Sequence, residues 1–161
     1  MITLKDKNFN QNVNKYFNFI DSYDFIACTC PSCNSTGTLI KHGFYSRRIK
    51  INNVIKNLTV LRVKCKECGK THAVLPSFVI PYLLTSINDA VMVIKDELDI
   101  SKCFSTKVLL KKSYSLWINR ILSFCDNIFV VLNDLHNLVI ECSKRFEMCF
   151  LQNHQGKFFC I

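Results

Sequence analysis

Two Cys-x-x-Cys pairs constrain this chain more than any other feature: Cys30-Pro31-Ser32-Cys33 and Cys65-Lys66-Glu67-Cys68, with 31 residues between Cys33 and Cys65. Each pair sets two thiols on one side of a tight turn. Zinc takes four such ligands in a tetrahedron, so the intervening chain must bring the two turns together. The gap has room for two strands and the turn that joins them. The spacing predicts one structural zinc ion on Cys30, Cys33, Cys65 and Cys68. Gly69 comes directly after the second pair, where a turn of this kind often needs a left-handed residue. Four thiolates leave no open coordination position for water or substrate, so no metal-based catalysis is expected. An iron–sulfur cluster or a redox pair is the alternative, but neither motif lies in a βαβ pattern.

Ten cysteines could equally frame disulfides. The opening MITLKDKNFNQ lacks the charged-then-apolar layout of a secretory leader, which favours metal binding in a cytoplasmic protein. The best apolar run, from Ile128 to Cys142, is interrupted by Asn133, Asp134, His136 and Asn137, so no membrane partner is expected. Cys28 falls outside the regular spacing and reads as a bystander. His42 and His72 are surplus as ligands and are expected to face phosphate or solvent. Cys103, Cys125, Cys142, Cys149 and Cys160 sit in apolar sequence, as small buried hydrophobes do.

The chain carries a formal charge of +9, and nearly all of the excess lies around the paired cysteines. Between residues 27 and 76, Lys41, Arg47, Arg48, Lys50, Lys56, Arg62, Lys64, Lys66 and Lys70 face a single acid, Glu67. Such density suits a polyanion, most simply nucleic acid. The same segment reads as strands. Apolar and basic residues alternate from Leu39 to Ile51, Asn52-Asn53 marks a turn, and Val54 to Cys65 is rich in β-branched residues. A last short strand runs from Thr71 and ends at Pro76. Residues 1–26 carry aromatics but no motif, and read as an arm or short helix packed on the rest.

Beyond Pro81 the apolar spacing becomes helical. Ile87, Ala90, Val91, Ile94 and Leu98 form one set. Leu110, Tyr114, Trp117, Ile118 and Ile121 form another. Ile128, Leu132, Leu135, Val139, Cys142, Phe146 and Cys149 step by four and three, as a helix docking another helix does. The chain therefore divides into an arm (1–26), a zinc ribbon (27–81) and a helical domain (82–161), an α+β architecture. The acids of the last part, among them Asp89, Asp96 and Glu97, fall at solvated helical positions. With no sheet around them, no nuclease site and no enzyme is expected.

The ribbon residues Cys30-Pro-Ser-Cys33-Asn-Ser, Ile40-Lys-His-Gly-Phe-Tyr45 and Val63-Lys-Cys65-Lys-Glu-Cys68-Gly-Lys-Thr71 resemble the amino-terminal zinc ribbon of bacterial insertion-sequence transposases. They also resemble short bacterial proteins of the same layout. The likeness extends through Leu75-Pro-Ser-Phe-Val-Ile-Pro81 and covers roughly residues 28–122. It implies a DNA-binding module in which a helix-turn-helix succeeds the ribbon, here placed on Thr106 to Ile121. On that reading Ser113, Tyr114 and Ser115 open a recognition helix, and Lys111, Lys112, Asn119 and Arg120 lie near DNA. One continuous helix from about 106 to 125 is the alternative.

The reading that results is a zinc-dependent binder of nucleic acid, chiefly duplex DNA, acting as a regulator or accessory in the bacterial cytoplasm, on the nucleoid when bound. Lys41, Arg47, Arg48, Lys50, Arg62, Lys64 and Lys66 would contact phosphates, with Lys111, Lys112, Ser113, Ser115 and Arg120 contributing from the helical half. A protein-interaction adaptor and an RNA binder are the other two classes. The 127–150 helix offers a surface for a protein partner or a homodimer, with packing inside the chain preferred.

Overall fold

A computed structural model of the protein describes residues 1–4, 9–98, 104–122, 137–139, 150–151 and 159–160. The chain begins with a three-residue strand, β1 (Ile2–Leu4). Helix α1 (Val13–Ser22) comes next, capped by Asn12, whose Oδ1 accepts from the amides of Asn14 at 2.9 Å and Lys15 at 3.2 Å. Two amide donors that the helix cannot satisfy internally are thereby met. The helix buries Tyr16 and Ile20, one turn apart on one face. The Tyr16 hydroxyl donates to the Val74 carbonyl at 2.7 Å and ties α1 to the sheet.

The long antiparallel hairpin of β2 (Leu39–Ile51) and β3 (Val54–Cys65) dominates the sheet. Asn52 and Asn53 both have positive φ, 51° and 62°. Two left-handed residues make a two-residue hairpin turn whose twist matches that of the strands, and Asn tolerates the conformation better than most residues. β4 (Thr71–Pro76) pairs antiparallel with β3. β1 then lies parallel to β4, and β5 (Phe159–Cys160) lies parallel to β1, giving the order β2-β3-β4-β1-β5. Neither β1 nor β5 is expected from the sequence. Strands of three and two residues are too short to show a period.

One irregularity sets which face of the hairpin is buried. The register shifts between Lys41 and Phe44, where β2 carries an extra residue and Gly43 has φ 113°. Across from it, Val60 and Leu61 are both buried although they are neighbours on β3 and point to opposite faces. On the cysteine side of this point the core uses Leu39, Leu61, Val63 and Cys65. On the turn side it uses Ile49, Ile51, Leu58 and Val60, from the other face. A bulge bends and twists a strand locally, and here it accompanies the exchange of buried face along a single hairpin.

The chain then crosses to a second core. Residues 84–86 run along the outer edge of β2: the Lys50 amide donates to Leu84 at 2.8 Å, and the Ser86 amide to Lys50 at 2.9 Å. Ser86 caps α2 (Ile87–Ile94), accepting from the Asp89 amide at 3.2 Å. The Asp89 carboxylate reaches back to the hairpin turn and accepts from the Asn53 amide at 3.2 Å. Asp89 is thus buried, not solvated as expected. The turn amide meets Oδ2, while Oδ1 is buried with no hydrogen-bond partner among the described residues. The side chain sits in the first turn of α2, where the helix dipole favours acids.

Helix α3 (Phe104–Leu122) packs on α2, and Trp117 lies at the centre of their shared core with Phe150, at 5.0 Å and edge-on. The helix is unbroken from end to end. The turn of a helix-turn-helix, expected at Ser113–Ser115, is therefore not there, and these residues sit mid-helix. The physical reason is local. The segment has neither Gly nor Pro, and a serine inside a helix costs only about 0.5 kcal/mol relative to alanine. Residues 137–139 are helical, and Leu138 and Val139 join the Trp117 core. The rest of the expected 127–150 helix lies outside the described residues, save Phe150, which is in a turn and not helical. So do the side chains of Cys103, Cys125, Cys142, Cys149 and Cys160. No helix among the described residues is long and apolar enough to cross a membrane.

Candidate metal centre and basic hairpin

The two cysteine turns have the same backbone. In the first, the Cys30 amide donates to Ser35 at 2.8 Å and the Asn34 amide to Cys30 at 2.9 Å. In the second, the Cys65 amide donates to Lys70 at 2.9 Å and the Gly69 amide to Cys65 at 3.1 Å. Asn34 and Gly69 hold the same place, directly after the second cysteine, and both are left-handed, at φ 60° and 68°. Gly69 stands out in the sequence as a residue for this role. Asn34 does not, although Asn is the commonest substitute for Gly in this conformation. β3 ends on Cys65, which pairs with Leu39, and the Lys66 amide donates to Thr38 at 2.9 Å. The hairpin thereby returns the second turn onto the first.

The sulfurs of Cys30, Cys33, Cys65 and Cys68 all lie within 4.8 Å of one another. Two contacts cross between the turns, Cys30 to Cys68 and Cys33 to Cys65, each at 3.7 Å. A tetrahedral zinc with bonds of about 2.3 Å requires sulfurs roughly 3.8 Å apart. The donor set and its geometry fit zinc, and the four residues form a structural zinc-binding site. Cys28 is buried elsewhere, beside the Tyr23 hydroxyl at 3.9 Å, and is not a member.

Hydrogen bonds prepare the sulfurs for metal. The Thr38 hydroxyl, then the Cys68 backbone, pull the Cys65 thiol down to about 5. The Ser35 hydroxyl, 3.0 Å from Cys33, lowers that thiol too. Cys68 is pushed up to about 11. The Lys70 amide acts against this, but burial and the neighbouring sulfurs outweigh it. Four thiols this close do not ionise together without a cation among them, and a divalent metal provides that charge. His72 corrects an expectation. It faces neither phosphate nor solvent but is buried, with Nε2 at 3.4 Å from the Cys30 sulfur and Nδ1 at 3.4 Å from the Met1 amino group. A ring N–H directed at a ligand sulfur fixes that ligand's orientation.

A family described as a domain of unknown function, DUF6431, matches residues 30–117, more than half of the chain. The chain belongs to the DUF6431 family. The match opens on the first zinc ligand and closes on Trp117. The DUF6431 unit therefore contains all four cysteines, the hairpin, β4, α2 and α3 as far as its buried tryptophan. No curated protein and no solved structure matches the chain.

The basic residues of the DUF6431 hairpin do not share one face. Alternation along the register puts Arg48 and Lys50 on one face, and Arg47, Arg62 and Lys64 on the other. Several are engaged. Lys41 donates to the Asp21 carbonyl at the end of α1, and Arg47 to the Leu83 carbonyl. The Arg62 guanidinium lies over the Tyr45 ring at 5.8 Å. Arg48 and Lys66 are exposed, while Lys50 and Lys64 are half-buried. On α3, Lys111 and Lys107 close on Asp96 at 2.5 and 2.6 Å, and these two lysines, Lys107 first, hold its carboxyl down at about 2. Lys112 and Ser115 are exposed and Ser113 half-buried, on a helix separate from the hairpin's sheet. The Arg120 side chain lies outside the described residues.

Proposed function

We propose that this chain is a zinc-stabilised nucleic-acid-binding protein, in which the metal holds a basic hairpin in shape and takes no part in chemistry. The observation that carries the reading is the outward face of the turn-side half of the hairpin, where Arg48 and Lys50 stand with no acidic residue in the same rows. Phosphate contact needs no more than such cations held in place, and most of the affinity of a nucleic-acid binder comes from them. The likeness of the ribbon to transposase DNA-recognition modules agrees with a regulator or accessory of mobile-element type, working in the cytoplasm of a bacterium. A site closed by four thiolates supports a non-catalytic role.

The test is a mobility shift of random duplex DNA by the zinc-loaded protein across a salt series. Log affinity should fall linearly with log salt, at about −0.9 per phosphate neutralised. Arg48→Ala should weaken binding to every sequence and flatten the slope by about one unit. Arg47→Ala should act less on the slope, since that guanidinium is already bound to Leu83. Binding indifferent to salt would defeat the proposal. A protein-adaptor reading has its own support in Val108, Leu109 and Leu116, which stand half-exposed on α3. It would gain if Leu109→Lys abolished a partner interaction while nucleic-acid binding was absent.

A further inference from the structure

The outward face of the hairpin does not consist of charge alone. α1 covers its cysteine-side half and stops at Phe44, whose ring meets Phe17 of α1 at 6.1 Å with the planes tilted by 52°. Both rings are left 39–43% exposed. Beyond them the row continues through Ser46, Arg48 and Lys50 on β2, opposite Thr59, Asn57 and Ile55 on β3. Successive members of this row stand about 6–7 Å apart, two residues of extended strand. An aromatic shelf thus heads a track of hydroxyls, an amide and cations, with the exposed Ile55 opposite Lys50 at its far end.

We propose that this track binds single-stranded nucleic acid, with an unpaired base stacked on Phe44 at the Phe17 end and the adjoining phosphates on Arg48 and Lys50. The inference rests on the nucleic-acid reading above and narrows its ligand. Charge complementarity selects a polyanion, and the rings select its unpaired form. A duplex keeps its bases stacked on each other and presents phosphates only, so an exposed phenylalanine adds nothing to its binding. An unpaired base has a free face, and stacking on an aromatic side chain is sequence-tolerant and strong. Ser46, Thr59 and Asn57 can hydrogen-bond base edges or sugars between the two ends of the track.

Fluorescence anisotropy of the full-length zinc-loaded protein tests this, with labelled oligothymidylate, oligouridylate and a mixed-sequence duplex of equal length at one salt concentration. The single strands should bind more tightly than the duplex. Phe44→Leu keeps apolar contact with Phe17 but removes the ring face. It should weaken single-strand binding about ten-fold, the effect of one lost stack, and leave duplex binding and zinc content unchanged. Phe44→Trp should restore the affinity. Comparing the two oligonucleotides tells whether the strand is DNA or RNA, and a preference for either supports the track. The inference falls if Phe44→Leu leaves single-strand binding intact, weakens both forms equally, or dissolves a dimer seen by sedimentation. If duplex binding is salt-dependent but no single-strand preference is found, the inference fails and the broader reading survives. If nothing binds in a salt-dependent way, both fail.

Discussion

Each zinc ligand is held by an amide turn whose geometry requires a left-handed residue after the second cysteine, and each sulfur has partners besides the metal. Cys30→Ser or Cys65→Ser should therefore remove zinc altogether, which metal analysis of the purified variant will read directly. Cys28→Ser should keep one zinc per chain, because that thiol packs against Tyr23 outside the cluster. His72 acts one step away. His72→Phe should retain zinc but bind it about 10- to 100-fold more weakly, the usual effect of losing a hydrogen bond to a ligand, measured by competition with a chromophoric chelator. Unchanged affinity would mean that the contact with Cys30 is incidental. These residues differ in how far the sequence reveals them. The four cysteines are legible because metal spacing is a local pattern. His72 is not, because its contact with Cys30 spans 42 positions and depends on how β4 is laid against the first turn.

At the scale of elements, the hairpin and α3 are the two that define what the chain can do. The Asn52-Asn53 turn is visible in the sequence, and so are the strands on either side. The bulge near Gly43 is not visible as a switch of face, since the alternation of apolar residues alone does not say which side meets α1 and which meets residues 76–86. Asn53→Gly should be tolerated, as Gly takes positive φ freely, whereas Asn53→Ala should cost about 1 kcal/mol in thermal or denaturant unfolding. For α3 the sequence leaves one helix or two. Ser113→Pro decides between them by stability: inside a continuous helix it removes a hydrogen bond and clashes with the preceding turn, costing about 3 kcal/mol, while at a turn it would be nearly neutral.

Two hydrophobic cores share the described part of the molecule. The first joins β1, α1 and the ribbon, with Cys30 and Cys65 buried inside it. The second gathers α2, α3 and Trp117. Zinc in a site of this kind supplies roughly 10 kcal/mol or more of folding free energy. Its removal by a strong chelator should therefore abolish the β-sheet signal in circular dichroism. Trp117, the chain's one tryptophan, should keep its buried, blue-shifted emission, because its core holds none of the ligands. A simultaneous red shift would mean that the Asp89–Asn53 bond and the edge bridge at Lys50 make the two cores unfold as one. Acid should act like the chelator. Protons displace zinc from thiolates, so zinc release and loss of sheet signal should coincide as the pH is lowered.

The sequence by itself determined the metal site, the hairpin with its turn, and the helical spacing seen in α2 and α3. All three rest on patterns between near neighbours: paired cysteines, alternation with period two, and apolar spacing with period near four. Only the tertiary structure decided where β1 and β5 go, that Asp89 is buried against the hairpin turn, and which basic residues are left outward. A strand of three residues carries no period, and the position of a charge depends on what its neighbours pack against. Arg47 and Arg48 are adjacent and chemically alike. One is drawn to the Leu83 carbonyl while the other stands in solvent, because strand alternation sends them to opposite faces and residues 76–86 cover just one of these.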